Sequence, residues 1–181
     1  MSYAEYCAFE RESATKHEYL GGEVFAMTGG TLEHARLATW LSHLLLLQLD
    51  GRPCEVLSAD ARVHVEATGL DTYPDVSVVC GERRTAAEDD HALINPILLV
   101  EVLSNSTEVY DRGEKASHYR QIPSLQAYLL VSQYQRRLEL QVRQADGEWS
   151  LIEARPGEQL TIAPLGITLA VDDVYQNSTA V

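Results

Sequence analysis

Two acidic residues interrupt segments of this chain that are otherwise apolar. Glu101 lies within Ile97–Leu103, an aliphatic run typical of a central β-strand covered on both faces. Asp75 follows Pro74 and leads into the apolar end of Tyr73–Cys80. Because proline is tolerated at the start or edge of a strand but not within a central ladder, we expect that strand to begin or bend beside Asp75. Burying an unpaired carboxylate is costly, so each acid must be paired, protonated, bound to a cation or exposed in a cleft.

If the two strands are neighbours, their carboxylates would meet at one point. Asp75 and Glu101 would then form the kind of oxygen-ligand site that Mg²⁺ or Mn²⁺ prefers. Such a site supports metal-dependent hydrolysis of a phosphodiester, and a nearby lysine would orient the water and stabilise charge on the phosphate. The structural alternatives are a strand-end or turn aspartate at Asp75 and a partner of a buried Arg or Lys at Glu101.

Hydrophobic periodicity predicts the elements that would position these residues. Helical spacing occurs at residues 3–11 and 33–49, and a helical zone at 106–121 begins with the capping-box spacing Asn105–Glu108. Gly21-Gly22 is typical of a hairpin turn, Thr31 is a candidate helix cap, and residues 81–90 are predicted to be a surface loop. Strand patterns cover residues 17–20, 23–28, 55–57, 61–66, 73–80, 97–103, 127–132, 137–143 and 150–154.

Together these patterns predict an α+β fold: a mixed β-sheet flanked by helices, with an N-terminal β-hairpin and C-terminal β-strands. The length of 181 residues predicts a single domain spanning residues 1–181. Residues 176–181 are polar and are predicted to be a frayed tail.

The amino-acid composition excludes some classes of protein. Lys and Arg number 14 against 27 Asp and Glu, a formal net charge of −13, which argues against a protein that coats nucleic acid with a basic surface. The longest apolar run, 97–100, is far too short to cross a bilayer, and the N-terminus lacks the features of a signal peptide. We therefore expect no membrane association and a cytoplasmic location. Three cysteines without a C-x-x-C pair predict buried free thiols.

Several motifs resemble those of a known family. Residues 73–76 (Y-P-D-V) and 100–107 (V-E-V-L-S-N-S-T) resemble the PD-(D/E)-x-K nuclease signature in a variant form. Residues 110–115 and 119–125 are similar to the Uma-type family of predicted restriction endonucleases, bacterial proteins once described as a domain of unknown function. Residues 18–24 and 27–30, followed by His34, agree with the same family, and the resemblance extends from about Tyr3 to Tyr175.

The resemblance implies a restriction-endonuclease-like core with an active site at the open edge of its mixed sheet. It implies an endonuclease that uses Mg²⁺ or Mn²⁺, takes nucleic acid, with DNA as the expected kind, as substrate, and acts as a homodimer. Asp75 and Glu101 match the two metal-binding carboxylates. His34 is expected near the catalytic pocket, in contact with the phosphate or the metal, and otherwise would be a capping or surface histidine. The alternative function is a non-catalytic binding or scaffold protein that keeps the nuclease fold as a dimer.

The third catalytic element departs from the simplest form of the signature. The position two residues after Glu101, where the usual signature has lysine, is Leu103. The resemblance implies that in this family the lysine lies on the following helix, which makes Lys115 the candidate. On a continuous helix Lys115 would share a face with Arg112 and Tyr119, presenting two cations and a phenol to a phosphate, although an ordinary solvated face would look the same. Weaker candidates for the site are Glu23, Glu33, Asp60 and Arg120.

Overall fold

Five α-helices and fourteen β-strands form the protein in a computed structural model that describes residues 1–181. The helices are α1 (Tyr3–Glu12), α2 (Leu32–Leu49), α3 (Glu108–Arg112), α4 (Glu114–Tyr119) and α5 (Val171–Val174). The strands are β1 (His17–Leu20), β2 (Glu23–Ala26), β3 (Cys54–Ser58), β4 (Arg62–Val65), β5 (Leu70–Thr72), β6 (Val76–Cys80), β7 (Thr85–Ala86), β8 (Asp89–Leu93), β9 (Leu98–Leu103), β10 (Ala127–Ser132), β11 (Leu138–Arg143), β12 (Trp149–Ala154), β13 (Gln159–Ile162) and β14 (Ile167–Ala170).

A six-stranded mixed sheet with the order β12-β11-β10-β9-β6-β3 forms the centre of the molecule. Strand β9 is parallel to β10 and antiparallel to β6, and all six of its residues are buried. Helix α2 covers one face with the leucines that recur at helical spacing. These are Leu37, Leu41, Leu45 and Leu49. The opposite face packs against α4, mainly through Ala116 and Tyr119.

Side-chain alternation along β9 decides which helix each residue meets. Val100 and Val102 belong to the apolar cluster under α2, whereas Leu99 and Leu103 belong to the cluster under α4. Glu101 therefore lies on the α4 side of the sheet.

A second six-stranded sheet, with the order β2-β1-β5-β4-β8-β7, brings the N-terminal hairpin toward the same side. Tyr19 on β1 is paired with Asp71 on β5, and this register puts Glu18 next to Thr72, whose hydroxyl donates a hydrogen bond to the Glu18 carboxylate.

The predicted α+β class, with a mixed sheet flanked by helices, is confirmed, as are the N-terminal hairpin and the C-terminal strands. The first helix is capped by Ser2 and Glu5, and Thr31 caps α2 by accepting a hydrogen bond from the His34 amide at 3.1 Å. None of the helices combines the length and the apolar character needed to span a membrane.

Three local predictions about the middle of the chain are wrong. The segment 81–90 is not only a loop, because β7 and the start of β8 form within it. The predicted capping box does not form, because α3 starts at Glu108 after Thr107, and the Asn105 amide donates instead to the Tyr134 hydroxyl. The helical zone is also divided at Gly113, so that α3 and α4 do not share a continuous face.

Two predictions that depended on isolated segments are also wrong. Cys54 and Cys80 are opposite each other on the antiparallel strands β3 and β6 and form a disulfide, so Cys7 is the one buried free thiol. The segment 176–181 does not fray, because Val181 exchanges backbone hydrogen bonds with Tyr134 and Arg136. Short sequence windows could not predict the Cys54–Cys80 pairing or the backbone pairing of Val181, because both join residues far apart in the chain.

Candidate active site

The pairing of β6 with β9 places the two predicted carboxylates on one cavity. Val76 is paired with Val100 at the start of β6, and the chain leaves the sheet at Pro74. The Val102 amide therefore lacks a backbone partner on that strand and donates to Asp75 Oδ2 at 2.7 Å. Asp75 thus caps the end of the ladder, as expected for an aspartate that follows a strand-breaking proline.

Asp75 and Glu101 both line a cavity of about 400 Å³. Its walls come from the end of β9, the two helices that follow, the N-terminal hairpin and the loop before α2. The acidic residues of this cavity are called here the carboxylate cluster, and they are Glu18, Asp75, Glu101 and Asp111.

Lys115 on α4 lies within the carboxylate cluster. Its Nζ is 2.8 Å from Glu101 Oε1, 3.2 Å from Glu18 Oε1 and 3.7 Å from Asp111 Oδ1. The Tyr119 hydroxyl, one helical turn later, donates to Glu101 Oε1 at 2.8 Å. Only 4% of Lys115 is exposed, so its ammonium is held by these contacts and not by solvent.

Burial and crowding shift the protonation of the cluster. Burial raises the pKa of Glu101 to about 8, with the neighbouring Asp111 and Asp75 adding to the rise and Lys115 opposing it. Burial would lower the pKa of Lys115, but the charges of Glu101, Glu18 and Asp111 outweigh it and raise that pKa well above its ordinary value. Lys115 therefore stays protonated, and the cluster has more acids than cations.

His34, in the first turn of α2, is the other basic residue of the cavity. Its Nε2 lies 3.1 Å from Asp75 Oδ2, and this hydrogen bond raises the pKa of the imidazole. The histidine thus contacts one of the two predicted metal ligands, and its role is not limited to the helix end.

Nearly the whole chain matches the model of one protein family. The family model "Uma2: Putative restriction endonuclease" matches residues 3–172. The chain belongs to the Uma2 family. Two proteins of Synechocystis are similar to it: "Uncharacterized protein slr1290" is 38% identical over 97% of this chain and 92% of its own length, and "Uncharacterized protein sll1609" is 35% identical over 84% and 86%.

A solved structure has the same fold as this Uma2 protein. It is described as a "putative nuclease belonging to DUF820 from Anabaena variabilis" and superposes with a TM-score of 0.75 over 97% of this chain and 98% of that chain. Sequence identity between the two is 14%, so the similarity concerns the fold.

Lys115 lies on the helix that covers Glu101, where the resemblance placed the candidate lysine, and its catalytic role stays a prediction. Leu103, where the simple signature has lysine, is 1% exposed and packs in the apolar cluster under α4. The Lys115 ammonium reaches Glu101 from the helix that covers the same face. An apolar side chain at position 103 is therefore compatible with a lysine that reaches Glu101 from α4.

Two members of the carboxylate cluster were assigned no role from the sequence. Glu18 belongs to the hairpin motif and Asp111 precedes Lys115 by four residues, the helical spacing that favours an ion pair. That spacing was a usable signal for Asp111. Glu18 lies 83 residues before Glu101 in sequence, and only the second sheet brings it to the site.

Several weaker candidates lie outside the cavity. The predicted face with Arg112 beside Lys115 is wrong, because the chain breaks at Gly113 and the Arg112 guanidinium instead pairs with Glu139 at 2.6 Å. Glu33 is bonded to Arg36 and to Ser178, and Glu23 is exposed on β2. Asp60 is paired with Lys16, and Arg120 donates to Gln141.

The carboxylate oxygens of the cavity are the type of ligand that a hard divalent cation prefers. No group of three or more His, Cys, Asp or Glu side chains is arranged as a complete ligand set. Mg²⁺, however, is usually bound through one or two carboxylates and keeps several waters, so the lack of a larger ligand set does not conflict with Asp75 and Glu101 as candidate ligands. The cluster has four acids and one lysine, so a divalent ion would offset part of its negative charge once Glu101 is ionised.

Gly30 is expected to control the position of His34. A Cβ at Gly30 would lie 2.8 Å from both Cγ and Nδ1 of the His34 ring, whereas a Cβ at Gly29 would meet nothing within 4 Å. Gly30→Ala should therefore move the ring from Asp75 and lower the pKa of His34 toward its ordinary value. An NMR titration of His34 measures this, with Gly29→Ala as the matched control, and an unchanged pKa in Gly30→Ala would refute the prediction.

Proposed function

We propose that this protein is a metal-dependent nuclease that hydrolyses phosphodiester bonds of nucleic acid in the cavity between β9, α4 and the N-terminal hairpin. The observation that carries the proposal is the buried Lys115 ammonium, 2.8 Å from Glu101, in the same cavity as Asp75. Family membership supports the class of reaction, since the description of the matching model is "Putative restriction endonuclease".

Asp75 and Glu101 would hold Mg²⁺ or Mn²⁺. The bound ion would polarise the phosphate and make a water more acidic. Glu101 must release its proton to become a ligand, because its burial favours the protonated form. Asp75 is already held in place by the Val102 amide, which leaves its other oxygen to the ion.

Lys115 acts as a donor and not as a base, because its raised pKa keeps the ammonium charged. A fixed positive charge beside the phosphate stabilises the negative charge that develops on phosphate oxygens in the transition state. Tyr119 and Glu18 position this ammonium and its partner Glu101. His34 holds the Asp75 carboxylate through Nε2.

Cleavage assays with and without metal test the proposal. Purified protein should degrade labelled nucleic acid in Mn²⁺ or Mg²⁺ and lose this activity in EDTA. Asp75→Asn should also be inactive, because an amide is a poor ligand for a hard cation. The matched control is Asp60→Asn, which removes an exposed aspartate paired with Lys16 and should retain activity.

A folded protein that cleaves no nucleic acid under any of these conditions would contradict the proposal and favour a non-catalytic binding protein of nuclease fold. The proposal includes a homodimer and a cytoplasmic location. Sedimentation velocity on the purified protein measures the oligomeric state, and cell fractionation determines the location.

A further inference from the structure

A second cavity opens beside the carboxylate cluster. This side recess has a volume of about 360 Å³, and its apolar walls include Leu20, Phe25, Leu70 and Tyr110. It shares Glu18, Phe25, Ser106, Thr107 and Tyr110 with the main cavity. The recess therefore adjoins the proposed site of phosphodiester cleavage.

Exposed aromatic side chains mark the rim. Phe25 on β2 is 49% exposed and Tyr134 is 40% exposed, and both side chains line the main cavity. The Tyr134 hydroxyl accepts a hydrogen bond from the Asn105 amide at 3.2 Å, which restrains the ring. Because both rings line a polar cleft and keep much of their surface exposed, they are available to pack against a ligand that enters it.

The charges around the cavity do not suit a duplex. Double-stranded DNA has one negative charge for about every 1.7 Å of its axis, and proteins that bind it supply Lys and Arg to many phosphates. Among the residues that line the main cavity, Lys115 is the sole Lys or Arg, and it is already paired with three acids. The net charge of −13 adds repulsion at long range.

We infer that the substrate is an unpaired nucleic-acid strand, and that a base next to the cleaved phosphodiester enters the side recess and stacks on Phe25. This inference rests on the proposed function for its orientation, because the phosphate must reach the carboxylate cluster while the base occupies the recess. Stacking is sequence-tolerant, since every base has an aromatic face, and its contribution to affinity does not come from basic residues. A base inside a duplex is stacked and paired, so it could not enter.

Binding assays with two phenylalanine variants test this inference. The chain has two phenylalanines: Phe25 on the cavity rim and Phe9 on α1, which is 41% exposed and packs against His17. Fluorescence anisotropy with labelled oligo-dT, oligo-rU and a hairpin duplex is measured in Ca²⁺, which also prefers oxygen ligands. Both unpaired strands should bind more tightly than the duplex. Phe25→Ala should weaken this binding about tenfold, as for loss of one stacked base, while Phe9→Ala should not.

The outcomes separate this inference from the proposed function. Duplex binding as tight as single-strand binding, or an unchanged affinity in Phe25→Ala, would overturn the inference even if the protein cleaves DNA in Mn²⁺. A Phe25-dependent single-strand affinity in a protein that cleaves nothing would support the inference and overturn the catalytic proposal. Because Phe25 is exposed, its variant should melt at the wild-type temperature, which excludes misfolding as the cause of weaker binding.

Discussion

Lys115→Ala is expected to reduce cleavage on the order of a hundredfold or more, because it removes the donor that acts on charge developing at the phosphate. It should also destabilise the metal-free protein by about 3–5 kcal/mol, since it leaves buried acids without their cation. The acids concerned are Glu101, Glu18 and Asp111. Mn²⁺ should stabilise this variant more than the wild type, because the ion would neutralise carboxylates that have lost the ammonium.

Rates must be compared at a temperature at which circular dichroism shows the variant to be folded. The matched control is Lys16→Ala, which changes the other lysine of the chain, a partly exposed residue paired with Asp60. An exposed pair of this kind contributes at most about 1 kcal/mol, and activity should persist. Lys115→Arg should not restore the rate fully, because a planar guanidinium does not replace a compact ammonium. Wild-type rates in folded Lys115→Ala would exclude the residue from catalysis.

Glu101→Gln is expected to abolish the stabilisation by Mn²⁺ while leaving a folded protein. Lys115 keeps Glu18 and Asp111 as partners in this variant, so its charge is not left alone. The effect on stability should depend on pH. The pKa of Glu101 is near 4.5 when unfolded and about 8 when folded, so the folded state binds the proton more tightly. That contribution is full below pH 4.5 and is lost as the pH rises through about 8.

Glutamine has no such proton, so the melting temperature of Glu101→Gln should rise relative to wild type between acidic and mildly basic pH, without metal. Thermal melts at both pH values, with and without Mn²⁺, measure this. Glu139→Gln is the control: Glu139 is 7% exposed and paired with Arg112, so its loss should lower stability but leave the response to Mn²⁺ intact. Strong destabilisation of Glu101→Gln at every pH, with a wild type insensitive to Mn²⁺, would make Glu101 a structural partner of Lys115 alone.

The alternatives considered for Glu101 from the sequence are not exclusive. A buried cation does pair with it, yet that cation is the candidate catalytic lysine, and the pair lines the cavity. An aliphatic run interrupted by one acid indicates that the acid needs a partner, but it does not identify the partner. The partner depends on how α4 packs on the sheet.

Much of the fold, and the two carboxylates of the candidate site, were predictable from local pattern. Alternation and aliphatic content identified the strand of Glu101, proline identified the strand start beside Asp75, and helical spacing identified α2. Such patterns are reliable because burial against one face repeats with the period of the element. The resemblance to the Uma-type family extended this prediction to Lys115, whose helix has no distinguishing pattern of its own.

The sequence by itself determined which residues are chemically out of place, Asp75 and Glu101, and which elements carry them. Only the tertiary structure decided that Glu18 joins them from a separate sheet, and that Arg112 turns away at Gly113 to pair with Glu139. It also decided the Cys54–Cys80 disulfide and the docking of residues 176–181. The physical reason is the same throughout: periodicity records which face of one element is buried, whereas these contacts join elements far apart in the chain, and packing alone selects their partners.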